Sequence, residues 1–325
     1  MQRLFGAVVL AASLVLHAAA AVAQGFPARP ITLVVVFAPG GATDVLARIV
    51  ADHMGRTLDQ RVVVENVTGA GGTIGGARGA QAAPDGYTLT VGSLGSHSAA
   101  PSIYRGIQYD PRELQPIGLI AGTPLYFMVR SGLPVRTYAE FAALARTAPG
   151  GLSNGHAGVG STNHLACALF SHVAGLRMNA IPYRGESQAV NDLVAGQIDS
   201  ACVLAPAAVP QLQAGTLRAL MLAAPEHSPL APDVPTSREA GLDAFVFQGW
   251  NAVFAPKGTP QPVVARLSGA LAAALDDPVV RRRIEELGSV PPTPDRMGPE
   301  PLRALVRSEV ERWAVVVRAA GIAEP

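Results

Sequence analysis

Apolar residues along this chain fall alternately into short unbroken runs and into helical spacing. Residues 31–36 form a continuous run rich in β-branched side chains, the pattern of a strand covered on both faces. Pro39-Gly40-Gly41 breaks that run, Thr43 and Asp44 suit a helix start, and Val45, Leu46, Ile49, Val50 and Met54 follow on one helical face. The plan repeats with a strand over 62–64, a glycine loop over 69–72 and a helix over 74–83. Pro84-Asp85-Gly86 predicts a turn before a strand at 88–91. Two strands are expected at 117–121 and 125–129, then a helix through Arg146 opened by the capping box Thr137 and Glu140. Helices are predicted over 162–173 and 188–195, and strands over 198–204 and 217–222 with a helix closing at Gly215 between them. Thr236 and Glu239 form a second capping-box pattern, and after a strand at 252–254 the chain is helical over 263–275, 278–287 and 299–320.

Strands alternating with helices imply an α/β fold with parallel sheets and helices on both faces. A chain of 325 residues is long enough for two domains. No low-complexity linker separates them, so the chain is expected to cross between two lobes more than once, near 122 and 248. That gives one lobe from 24–122 plus 248–325 and a second from 123–247. A ligand cleft then lies between the lobes, where strand ends and helix N-termini face each other. Apolar residues at 49% and charged residues at 15% exclude a disordered chain. A net charge of +1, with no basic run beyond Arg281-Arg282-Arg283, lacks the footprint of a nucleic-acid binder.

Arg3, the apolar run over 4–16 and Ala21-Val22-Ala23 read as a signal peptide over 1–23, so the mature chain is expected to start at Gln24 in the periplasm. A membrane anchor would need about 20 apolar residues and no cleavage box. The two cysteines, Cys167 and Cys202, fit either a disulfide in an oxidising compartment or two small buried side chains, and their spacing leaves both open.

A glycine loop that opens a helix leaves backbone N–H groups unpaired and adds the positive end of the helix dipole, which suits an anion. Two segments have this form: Pro39, Gly40, Gly41, Ala42, Thr43 and Asp44, and Gly160, Ser161, Thr162, Asn163 and His164. Gly40 and Gly41 serve either a ligand or a tight turn, and Ser161 and Thr162 either bind ligand or cap their helix. Asp44 fits the helix start better than a contact with another carboxylate. Ser93 and Ser96 follow a strand end, and Tyr183 and Arg184 precede a helix start. Arg184 is the one nearby cation able to pair with an acid, its alternative being a surface arginine. Among the seven histidines, His156, His164 and His172 are eight residues apart, which is not the spacing of metal ligands on adjacent helix turns. Gly151-Leu152-Ser153-Asn154-Gly155 matches the hydrolase pattern Gly-x-Ser-x-Gly but lacks its strand and helix context. Gly69-Ala70-Gly71 starts like a dinucleotide fingerprint, yet Ile74 stands at the third glycine position. No catalytic residue, metal or cofactor is expected.

Several segments resemble the Bordetella uptake gene family, the substrate-binding receptors of tripartite tricarboxylate transporters. They are Phe37-Ala38-Pro39-Gly40-Gly41-Ala42-Thr43-Asp44, Val63-Val64-Glu65-Asn66, Gly69-Ala70-Gly71-Gly72, Ala83-Pro84-Asp85-Gly86-Tyr87, Tyr109-Asp110-Pro111, Pro182-Tyr183-Arg184-Gly185, Pro232-Asp233-Val234-Pro235-Thr236 and Ala319-Ala320-Gly321-Ile322. The resemblance covers essentially the whole mature chain. It implies a two-lobed periplasmic-binding-protein fold of the Venus-flytrap type II class, a monomer that captures a small organic anion such as a carboxylate. It also implies delivery to the membrane subunits of a transporter, or to a sensor ectodomain, without catalysis. Ala42 stands where the family often has Ser or Gly, and Cys202-Val203-Leu204 where it often has a polar or acidic residue, so the ligand is harder to infer from relatives.

Overall fold

The computed structural model describes residues 25–319 together with Gly321 and Ile322. The leader and cleavage site expected over 1–23 lie outside the described residues. Strand β1 (Ile31–Val35) leads through helix α1 (Ala42–Leu58) to β2 (Val62–Asn66), and α2 (Thr73–Ala80) leads on to β3 (Thr88–Ser93). A π-helical turn over Gly95–Ala99 and the short α3 (Ala100–Ile103) precede β4 (Gln115–Arg130). Then come α4 (Tyr138–Thr147), β5 (Ser153–His156), α5 (Thr162–Ala174), β6 (Asn179–Pro182), α6 (Glu186–Val194), β7 (Ser200–Leu204), α7 (Ala205–Gln213) and β8 (Leu217–Leu222). The chain ends with β9 (Gln248–Ala255), α8 (Gln261–Asp276), α9 (Pro278–Glu285) and α10 (Pro299–Ala319).

The strand order is β2-β1-β3-β9-β4-β7-β5-β6, with β8 on β4. β1 is parallel to β2 and β3, and β5 is parallel to β6 and β7, as helical crossovers require, while β9 and β4 run antiparallel to their neighbours. The fold is therefore α/β and two-lobed, with mixed sheets flanked by helices.

The strands expected at 117–121 and 125–129 are one strand of 16 residues. Gly122 and Pro124 look like a break, but Gly122 exchanges two backbone hydrogen bonds of 2.9 Å with Val290, so the strand continues with changed partners. Up to Pro124 it pairs with β9, and from Leu125 it lies between β7 and β8. The Thr137 and Glu140 capping box is present at α4. Thr236 and Glu239 make the same reciprocal bonds, yet only turns follow. Gly241, at φ +83°, ends the segment before a helix can propagate.

One core packs Leu33, Val50, Val253 and Leu271 between the first sheet and its helices. In the other lobe Phe127 stacks on Phe170 with ring centroids 3.9 Å apart, beside Phe141 and Phe245. Cys167 and Cys202 are buried, free thiols, and Cys167 Sγ donates to Asn154 Oδ1 at 3.0 Å.

Candidate ligand site between the lobes

β1 ends in a loop that turns sharply at Gly40, φ +84°, and Gly41 then caps α1 without offering a side chain to its first N–H groups. Asp44 is tied into the start of α1. Its Oδ2 accepts from the Gly40 N–H at 2.9 Å and Arg48 Nε at 2.9 Å, and its Oδ1 from Arg48 Nη2 at 2.9 Å and Asn66 Nδ2 at 2.8 Å. Burial pushes its carboxyl up, but these bonds outweigh burial and hold it below the ordinary value. With its acceptor directions taken up by these donors, Asp44 fixes the start of α1, the role its place in the sequence favours.

The second loop lies opposite. Ser161 caps α5 by accepting from the His164 N–H at 3.2 Å, and the Gly160 N–H donates to His164 Nδ1 at 3.1 Å. Thr162 points across the lobes, its Oγ1 accepting from the Gly95 N–H at 3.1 Å. Asn163 Nδ2 donates to Glu186 Oε1 at 2.7 Å and to the Cys202 carbonyl at 2.9 Å. Three further hydrogen bonds join the lobes: the Ala42 N–H to Glu186 Oε2 at 3.0 Å, Ser187 Oγ to the Pro39 carbonyl at 2.8 Å, and Tyr104 OH to the Val159 carbonyl at 2.6 Å. The N-termini of α1, α5 and α6 thus meet at one place.

Ser93 and Ser96 lie beside this junction, both buried, with their hydroxyls 3.2 Å apart and Ser96 Oγ 2.9 Å from His97 Nδ1. Next to Ser93 in the ladder stands Asn251, which is 1% exposed and has no partner among the described residues for either end of its amide. Alternation along β9 puts Asn251 on the face of Gly249, and a Cβ at Gly249 would meet Thr123 Oγ1, Thr162 and Leu204. Thr123 Oγ1 also lacks a partner among the described residues. A buried amide left without hydrogen bonds costs about 1–3 kcal/mol per group, so this corner is built to meet another polar group.

Tyr183 OH donates to Asp192 Oδ2 at 2.7 Å within its own lobe. The exposed Arg184 has no side-chain partner among the described residues and lines a groove of about 410 Å³ with Gly71, Tyr104, Val159 and Tyr183 at the mouth of the junction. His156 and His164, eight residues apart, meet with ring centroids at 4.5 Å because β5 and the start of α5 bring them together. Glu186, Asn251 and Thr123 escaped the sequence reading. Glu186 is an acidic residue near a helix start, a common local pattern, and the other two carry none.

Comparison with known proteins decides the family. Residues 46–322 match the model for the tripartite tricarboxylate transporter family receptor. The chain belongs to that family. It is 36% identical to Protein BugT of Bordetella pertussis over 301 residues, which is 92% of this chain and 91% of the relative. It is also similar to the structure of MatC from Rhodopseudomonas palustris with bound malate, at 41% identity and a TM-score of 0.87, covering 90% of this chain and 100% of MatC. A second R. palustris structure, with adipate, matches at 34% identity and a TM-score of 0.87 over 92% of this chain and 99% of that one. The receptor family accounts for the two-lobed fold.

Proposed function

We propose that this receptor captures a small carboxylate between its lobes, one formed by 24–122 plus 248–325 and the other by 123–247. The carrying observation is the convergence of three helix N-termini with buried Ser93, Thr162, Asn163 and Asn251. Backbone N–H groups, amides and hydroxyls of this kind grip an anion without a lysine or arginine clamp. Charge-assisted hydrogen bonds contribute about 1.5–3 kcal/mol each, more than neutral ones. The malate and adipate held by its two structural neighbours support the ligand class. The ligand set is Pro39, Gly40, Gly41, Ala42, Thr43, Ser93, Ser96, Gly160, Ser161, Thr162, Asn163, His164, Tyr183 and Arg184, with Asn251 added. The protein works without catalysis and delivers its ligand to the membrane subunits of a tripartite transporter.

A thermal-shift screen of the mature protein against malate, adipate, monocarboxylates, amino acids and sugars tests this. A ligand at a hundred times its Kd adds about 2.7 kcal/mol to the folded state, a clear rise in Tm. A response to sugars alone, with none to any acid, defeats the reading. Arg184, at the mouth of the junction, is placed to meet the second carboxylate of a diacid. Arg184→Ala is therefore expected to weaken adipate about tenfold or more, the measure of one charge-assisted pair, and to leave a monoacid unchanged in calorimetry. Equal effects on both acids remove that role. Export with cleavage before Gln24 is expected to appear as the shortened intact mass of periplasmic protein, and full-length protein in the inner membrane refutes it.

A further inference from the structure

Glu186 is a buried carboxylate whose hydrogen-bond partners are all neutral. It is 5% exposed and accepts from Asn163 Nδ2 and the Leu204 N–H, both at 2.7 Å, through Oε1, and from the Ala42 N–H at 3.0 Å through Oε2. Burial raises its pKa above the ordinary range against the pull of these three donors. A carboxylate held this deep without a cation is costly unless its donors are well placed.

The donors have a common feature. Ala42 is the first residue of α1, Asn163 the second of α5, and Leu204 the residue before α7. They form the kind of seat that the proposed function gives to a ligand carboxylate, and the side chain of Glu186 already sits in it. One N–H cannot serve two carboxylates well, and two carboxylates in contact repel each other. The start of α6 is also docked on the opposite lobe. Ser187 Oγ bonds the Pro39 carbonyl, and a Cβ on Gly185 would come within 2.7 Å of the Ala38 Cβ. Glu186 thus reaches Ala42 only while α6 is docked on the loop before α1.

We propose that Glu186 is a tethered anion that occupies the α1 seat when the lobes meet, so that a ligand carboxylate must displace it from Ala42. This inference rests on the carboxylate reading above. Glu186 then sets the affinity of the cleft for acids: the observed Kd is the intrinsic Kd divided by the fraction of molecules in which the seat is free.

Glu186→Gln separates the two halves of the contact. A carboxamide has one acceptor oxygen; if that oxygen keeps Asn163 and Leu204, its NH₂ faces the Ala42 N–H, donor against donor. The variant thus retains the bonds within its own lobe and loses the bond between lobes. Glu186→Ala serves as the second variant, with Tm measured for both. Small-angle scattering without added ligand is expected to give Glu186→Gln a larger radius of gyration than the wild type, and an equal radius overturns the proposal. Calorimetry with malate and adipate is expected to show binding about tenfold tighter than wild type, which corresponds to a seat filled by Glu186 about nine-tenths of the time. Unchanged or weaker binding by both variants overturns it, as does a selective loss of zwitterionic amino acids, which would make Glu186 a partner for an ammonium group. If neither acid binds even the wild type, the carboxylate reading falls, while the scattering comparison still decides whether Glu186 holds the lobes together.

Discussion

Gly95→Ala is expected to leave the protein folded and to reduce carboxylate affinity by about 100-fold, or 2.7 kcal/mol. Gly95 is not in the left-handed region, so its own lobe accepts alanine without backbone strain. The added Cβ would lie 2.5 Å from the Gly160 carbonyl oxygen, 2.6 Å from the Thr162 nitrogen and 2.7 Å from the Ser161 carbonyl carbon. All three are backbone atoms at the start of α5 in the other lobe, so no side chain can rotate out of the way. The lobes must part, which also breaks the Gly95 N–H to Thr162 Oγ1 bond and separates the helix N-termini that the ligand needs together. Scattering of the ligand-free variant should give a larger radius of gyration than the wild type, because its lobes cannot meet. Gly71 is a poorer choice for this test. A Cβ there also runs into the opposite lobe at the Val159 carbonyl, but φ +59° adds strain within its own lobe and mixes the two effects. Wild-type affinity in a folded Gly95→Ala protein would show that ligand does not bind between closed lobes.

The contrast between Gly95 and Gly41 shows what the sequence made legible and what it did not. Gly41 follows a strand and opens a helix, a local pattern that reads from neighbours alone, and so do the Thr137 and Glu140 capping box and the apolar face of α5. Gly95 lies in a π-helical turn, and the need for glycine there comes from atoms 65 to 67 residues away. The same limit explains Glu186 and Asn251, whose roles depend on which strand and helix ends meet. It also explains the contact of His156 with His164, which the β5 to α5 turn produces and no local pattern announces. Local signals misled where tertiary pairing overrode them. Gly122 and Pro124 failed to end β4 because Val290 supplied the missing partner, and Thr236 with Glu239 formed a cap without a helix.

Acid is expected to destabilise the protein well before its carboxylates titrate, through histidines buried in neutral form. His97 is wholly buried, stacked on Phe254 at 4.7 Å, and burial pushes its pKa down to about 3. His156 is pushed down to about 4, by burial first and by His164 second, and His164 is itself held below the ordinary value by burial. An unfolded chain protonates these rings near pH 6.5, so it binds more protons than the folded chain as pH falls, and stability falls with it. Between pH 7 and pH 5 this removes about 2 kcal/mol for each of His97 and His156. Asp44 and Asp199 have lowered pKa values, so their contributions are lost only below about pH 4, outside this window. Glu186 acts in the opposite sense, because its raised pKa lets the folded state take up a proton first, and so offsets part of the loss. The exposed pair of His227 and Glu239 also favours the folded state at lower pH, but solvent screens it. His97→Phe keeps a ring against Phe254 and removes a nitrogen, Nε2, that has no hydrogen-bond partner. Urea denaturation at pH 7 and pH 5 should therefore show the drop in unfolding free energy reduced by about 2 kcal/mol in the variant, whatever the change in absolute stability from the larger ring. An unchanged drop would mean that His97 titrates normally in the folded protein, with water reaching the ring beside Ser96 and the ligand cleft open to acid at its core.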